Sequence, residues 1–211
     1  MKSQGTVRIG KNTLALFVMQ VGTRGLTLWL MAQLSRSVGV EGLGRYILAM
    51  TAQGVALAVA EWGLNVYAIR ELAHQPTAED AATFMGALLG LKLALSLAMV
   101  GVLNLLIAPV FFPDRAALIA LASWSLAPEA LSNGIFALIR AKQRMEISSA
   151  VTLGVRTVAT LGGVLLLARG YDERAALVAY NAGSFLGLLA LVWLLRVWKL
   201  LPRFDTLRQT G

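Results

Sequence analysis

Cysteine is absent from this 211-residue chain, and histidine occurs once, as His74. Without thiols there is no disulfide framework, no thiolate nucleophile and no iron–sulfur or cysteine-type zinc centre. A single histidine cannot build a histidine-rich metal site. No Gly-rich loop of the phosphate-binding kind follows a strand pattern, so ATP hydrolysis by this chain is not expected. His74, Glu79 and Asp80 share a segment of turn residues and lack the spacing of a histidine–acid catalytic pair. The chain is therefore expected to be neither an enzyme nor the carrier of a cofactor. Charge is scarce as well, at 14% of residues against about 25% in soluble domains.

What is present is apolar, at 57% of residues, and it is concentrated in runs. A water-soluble fold of this size must cover its surface with polar groups, and too few are available. Six stretches each offer roughly 20 mainly apolar residues, enough to cross about 30 Å of hydrocarbon. They run approximately over 13–34, 46–69, 83–108, 115–139, 148–168 and 175–195. Leu, Ala and Met dominate as helix formers, and no alternation of the β-barrel kind competes. The fold class expected is an all-α membrane protein, a bundle of six transmembrane helices occupying residues 1–200, with 201–211 as a polar tail. The run beginning at Tyr46 is the least hydrophobic of the six.

The segments between runs read as turns: a Gly-rich Ser35–Gly44, a polar Leu72–Ala82, an aromatic helix stop at Phe111–Asp114 and Tyr171-Asp172-Glu173. Lys2, Arg8 and Lys11 precede the first run as in a signal peptide. That run, however, carries Gln20 and Arg24, continues past Trp29 and lacks a small-residue cleavage site, so a retained first helix is expected. The net charge of +8 does not indicate nucleic acid, since the basic residues lie between apolar runs rather than on one soluble face. Eleven of them fall on the side of the N-terminus (Lys2, Arg8, Lys11, Arg70, Arg140, Lys142, Arg144, Arg196, Lys199, Arg203 and Arg208). Five fall on the other (Arg36, Arg45, Arg115, Arg169 and Arg174). This bias places both termini in the cytoplasm.

Three basic residues remain, and they lie inside the runs: Arg24, Lys92 and Arg156, with Glu61 and Glu129 as acidic counterparts. A charge at a helix centre costs about 2.5–3.5 kcal/mol on insertion scales, whereas each Leu, Ile, Phe or Val returns about 0.3–0.6. Such residues face a bundle interior or a water-filled cavity, and they mark substrate or ion paths. Their neighbours support a common polar stripe: Gln20 and Arg24, Glu61 and Asn65, Glu129 and Asn133 are each four apart, and Thr152, Arg156 and Thr160 form a longer row. The competing reading is that these charges are interhelical salt bridges that only fix helix order, with Lys92 snorkelling to an interface. Pro128 removes a backbone donor beside Glu129 and is expected to kink that helix. Asn181 adds a polar group to the sixth run. Gly86-x-x-x-Gly90 and Gly183-x-x-x-Gly187 are expected to serve packing within the bundle. Trp198 fits an interfacial belt, while Trp62 and Trp124 sit within runs.

The order of these features resembles the polysaccharide and O-antigen flippases of the multidrug/oligosaccharidyl-lipid/polysaccharide exporter superfamily. Arg8-Ile-Gly-Lys-Asn-Thr13 resembles their basic lead into the first helix, and Gly39-Val-Glu-Gly-Leu-Gly-Arg-Tyr46 their first external turn. Glu61-Trp-Gly-Leu-Asn65 followed by Ala68-Ile-Arg-Glu71 is similar to the end of their second helix, and Arg140-Ala-Lys-Gln-Arg144 to the basic loop after the fourth. The resemblance is clearest over 8–75 and extends to about 200.

The resemblance implies movement of an undecaprenyl-diphosphate-linked oligosaccharide across the cytoplasmic (inner) membrane by alternating access. Arg24, Lys92 and Arg156, with Asn65 and Asn133 beside them, are then candidates for the substrate path. Glu61 and Glu129 are candidates for ion coupling or charge balance. The partners implied are the lipid bilayer, the lipid-linked glycan, and either a second lobe or another copy of the chain. The family normally continues into that second lobe where this chain reaches Leu201-Pro-Arg-Phe-Asp205, so a fragment or truncated gene is expected. Two rival expectations are a cation-coupled small-molecule exporter of the same superfamily and a non-transporting membrane scaffold.

Overall fold

The structure, a computed structural model, describes residues 2–74, 78–141 and 145–197. Lys142, Arg144, Trp198, Lys199 and the polar tail lie outside the described residues. The described residues are almost wholly helical and contain no strand: α1 (Lys2–Glu61), α2 (Leu64–His74), α3 (Ala78–Val102), α4 (Ala108–Phe111), α5 (Ala116–Ser123), α6 (Leu126–Ala141), α7 (Met145–Ala168) and α8 (Glu173–Val197). Among the described residues, four helical stretches are long and apolar enough to cross a membrane: Leu16–Glu61, Asp80–Phe111, Met145–Ala168 and Glu173–Leu194. Large apolar side chains such as Phe17, Leu28, Leu105, Phe111 and Trp193 point outward. That exposure suits hydrocarbon and not water. The protein is an all-α membrane protein.

The first two expected runs form one helical stretch, α1, interrupted at Gly39 (φ 73°, ψ −178°). Positive φ costs an L-residue about 1–2 kcal/mol and glycine nearly nothing, so Gly39 is where the chain turns back. The two arms then run side by side: Met19 and Leu57 line one cavity together, and Thr27, Tyr46 and Met50 line another. The Gly-rich turn expected over 35–44 is thus helical on both sides of a single kinked residue.

Two further breaks divide expected runs. The chain leaves α1 at Trp62 and Gly63, the latter at φ 72°, before α2 resumes the helix. The run over 115–139 is divided at Trp124–Ser125 into α5 and α6. Pro128 explains that position, because it lacks the N–H that would bond the Trp124 carbonyl and its ring crowds that oxygen. The Ser123 and Ser125 hydroxyls donate to the carbonyls of Ala120 (2.7 Å) and Ala122 (2.9 Å), which satisfies backbone acceptors at the break. Pro109 acts similarly on the third run. The turn before it, Leu103–Ile107, is a π-helix, the form a helix adopts when one bond of its ladder is skipped.

The core has one large part, where both arms of α1 meet α5, α7 and α8 around Leu34, Ile119, Leu126 and Leu177. A second part joins α2, α3 and α6 around Leu72, Met85, Leu88 and Leu138. Helix α6 therefore stands between the two and touches α3, α2 and α8. Close approach of α7 and α8 depends on glycine: a Cβ on Gly183 would lie 2.6 Å from the Ala159 Cβ, and one on Gly187 2.8 Å from a Val155 methyl. Gly86 and Gly90 meet nothing within 4 Å. Gly183→Leu is therefore expected to destabilise the protein by about 1–3 kcal/mol through overpacking. Gly90→Leu should leave the unfolding temperature in detergent nearly unchanged. Equal responses at the two positions would show that the α7–α8 contact is looser than described.

Candidate functional site: two carboxylate networks and a cavity

Helix α6 organises the interior polar groups because Glu129 and Asn133 lie one turn apart on it. Glu129 sits in the first turn of α6, where the helix dipole favours an anion. Its Oε2 accepts from Gln53 Nε2 at 3.1 Å, and its Oε1 accepts from the Tyr180 hydroxyl and from Ser184 Oγ at 3.2 Å. The Arg156 guanidinium stands 3.8 Å from Oε1, beyond hydrogen-bonding distance, and 4.7 Å from the centroid of the Tyr180 ring. Three neutral donors from α1 and α8 thus satisfy the carboxylate, while Arg156 of α7 pairs with it at longer range and rests against the Tyr180 ring.

The second network surrounds Glu61, the last residue of α1 before the Trp62–Gly63 break. Lys92 Nζ donates to its Oε1 at 2.7 Å, and Asn65 Nδ2 and Asn133 Nδ2 donate to its Oε2 at 3.1 and 3.0 Å. The Lys92 side chain is 0% exposed. Gly134 of α6 makes room for its stem: a Cβ there would stand 3.2 Å from Lys92 Cδ. The close pair binds α3 to the end of α1, while Asn65 ties α2 and Asn133 ties α6 to the same carboxylate.

A cavity of about 260 Å3 opens between α6, α7, α8 and the α1 arms, with Glu129, Asn133, Thr152, Arg156, Tyr180 and Ser184 among its walls. Arg140 lines it too, 11 residues along α6 from Glu129, a rise of about 16 Å. The Arg140 guanidinium lies over the Phe136 ring at 6.0 Å, and its buried Nε has no hydrogen-bond partner. A second chamber of about 190 Å3 adjoins the first and shares Arg156, Ala159 and Tyr180 with it. Three helices agree on the order. On α1 Met19 belongs to the first chamber and Thr23 to Met31 to the second; on α7 Thr152 lines the first and Thr160 the second. On α8, which runs the other way, Leu191, Gly187 and Ser184 line the first chamber, and Tyr180 is the wall between the two. The chambers therefore lie end to end, with Arg156 and Tyr180 as the partition.

The sequence-derived candidates fall into three places. Arg156, Glu129 and Asn133 line the first cavity, while Glu61, Lys92 and Asn65 form the adjoining closed network. Arg24 stands apart: it is exposed on the first arm of α1, along a shallow groove with Thr13, Gln20 and Leu28 from that same helix. Trp62 and Trp124 line neither chamber and are exposed beside the two helix breaks. Asn181 donates to the Leu121 carbonyl at 2.7 Å, a structural bond between α8 and α5. Away from the chambers, Arg45 pairs with the buried carboxylate of Glu173 at 3.1 Å, joining the second arm of α1 to the start of α8. Gln53, Tyr46, Tyr180 and Ser184 were not singled out in advance. The four-residue spacing of Tyr180 and Ser184 is a signal that could have found those two.

Helices with outward apolar faces, ion pairs between them and a cavity that carries charged and hydroxyl groups on its walls define a multi-pass membrane protein. The chain belongs to the family described as polysaccharide biosynthesis protein, whose model matches residues 9–210. No curated protein and no solved structure matches it.

Proposed function

We propose that the protein moves a lipid-linked oligosaccharide, an undecaprenyl-diphosphate glycan, across the cytoplasmic membrane by alternating access, without covalent chemistry. The observation that carries this reading is Arg156. Its side chain is 41% exposed on the wall of a cavity enclosed by apolar helices, and the hydrogen bonds of its neighbouring carboxylate are supplied by other groups. A guanidinium held this way is free to take a phosphate oxygen, and a low-dielectric surrounding strengthens that bond. Arg140 offers a second guanidinium along the same wall. Membership of a polysaccharide biosynthesis family supports this choice of cargo, since building a polysaccharide on a lipid carrier requires that carrier to change leaflets.

In this reading the chain acts as one six-helix lobe with both termini cytoplasmic, which places Arg140 at the cytoplasmic mouth of the cavity. A second lobe or a second copy completes the path on the face that bears Arg24. The test is depletion of the gene in a cell that makes the glycan. Lipid-linked glycan is expected to accumulate where an outer-leaflet probe cannot reach it. Normal outward appearance of the glycan after depletion would sink the assignment.

A further inference from the structure

The second chamber has a chemistry different from the first. Its walls contain the Arg156 guanidinium, the phenols of Tyr46 and Tyr180 and the hydroxyls of Thr23, Thr27 and Thr160, with Leu26, Leu30, Met31 and Met50 also lining it. No acidic residue lines it among the described residues. Glu129 lies on the other side of the partition, with its oxygens taken by Gln53, Tyr180 and Ser184.

Three of the hydroxyls are already committed. Thr23 donates to Met19 O at 2.8 Å, Thr27 to Thr23 O at 2.8 Å, and Tyr180 to Glu129. Tyr46 and Thr160 are at least nine-tenths buried, and neither hydroxyl has a hydrogen-bond partner among the described residues. The chamber therefore presents one cation and two O–H donors without a protein partner to a partly open space with no acidic side chain on its own wall. Polar groups inside a membrane protein need partners, and these have room for one within the chamber.

We propose that this second chamber is a binding site for a small inorganic anion of chloride's size, held by the Arg156 guanidinium and the hydroxyls of Tyr46 and Thr160. The volume of about 190 Å3 accommodates such an ion with part of its hydration, a water occupying about 30 Å3. The chamber is too small for a sugar diphosphate. The anion sits behind the partition and completes the shell of Arg156 from the side that Glu129 does not reach. It is bound whether or not cargo occupies the first chamber, so the site stands independently of the transport reading.

The experiment uses the purified full chain in lipid nanodiscs, titrated with sodium chloride against sodium gluconate at constant ionic strength. Thermal unfolding and the 35Cl NMR linewidth are followed without any glycolipid. Chloride is expected to raise the unfolding temperature saturably and to broaden its resonance, with bromide competing. The Tyr46→Phe/Thr160→Val double variant should keep the wild-type unfolding temperature in gluconate to within a few degrees. It should need at least tenfold more chloride for half-saturation. A chamber that holds only water gives no chloride-specific response in the wild type, and that result overturns the proposal. So does a saturable response that is identical in the double variant, which would place the ion elsewhere. A transport assay that fails while this titration succeeds rejects the cargo assignment and leaves the anion site standing.

Discussion

Lys92→Met is expected to lower the unfolding free energy by about 3–5 kcal/mol, because it leaves the largely buried Glu61 carboxylate without its cation. Lys92 is 0% exposed and stands 2.7 Å from Glu61, whose own side chain is only 13% exposed, so little solvent remains to screen the loss. The two amides that also bond Glu61 offset little, since interhelical hydrogen bonds in membranes average about 0.6 kcal/mol. The Lys92→Met/Glu61→Gln double variant removes both charges while keeping shape and amide donors. It should recover most of the stability, as buried pairs replaced together often cost little. Denaturation in detergent micelles, read as a double-mutant cycle, gives the coupling directly. A single variant as stable as the wild type would show that the pair is not formed.

Arg156→Gln is expected to behave in the opposite way: normal abundance and folding, with transport of the glycan reduced at least tenfold in cells depleted of the native protein. The geometry sets the contrast. Arg156 is 3.8 Å from Glu129 and 41% exposed, the condition in which an ion pair contributes about 0–1 kcal/mol to stability. Its value lies in what it offers the cavity. Arg156→Lys should retain part of the activity, since a point charge still attracts phosphate but lacks the planar fork that binds it in two places. Loss of the folded protein in Arg156→Gln would mean that Arg156 is a structural ion pair like Lys92.

These two residues answer a question left open by sequence alone. Both are cations inside apolar runs, and composition cannot separate a salt bridge that fixes helix order from a group that faces cargo. The separation depends on the rotational phase of each helix and on which helices are neighbours. Lys92 and Glu61 are 31 positions apart, so nothing local joins them. Arg24 shows the same limit from the other side. Its stripe with Gln20 is plain in the spacing, but periodicity gives a face without saying which way it points. The structure turns that face outward, away from the chambers.

The breaks were legible to different degrees. Pro128 announces one, because a missing N–H has a fixed consequence four residues earlier, at Trp124. The Trp62–Gly63 break has no such marker: glycine is common in membrane helices, and only the backbone shows Gly63 at φ 72°. The turn between the arms of α1 was placed correctly by its glycines, yet one of them, Gly39, carries the reversal. The aromatic half of the site was the least visible. Tyr180 and Tyr46 lie in apolar runs where a ring reads as packing, and their roles follow from the arrangement of α1, α7 and α8.

The most direct measurement of the central claim is transbilayer movement of the lipid-linked glycan in liposomes containing the purified protein. With the glycan loaded on one leaflet, the protein should increase its appearance on the other, and Arg156→Gln should remove that increase. A diacyl lipid without a diphosphate should not be moved. Equal rates with and without the protein, or equal rates for wild type and Arg156→Gln, would contradict the account.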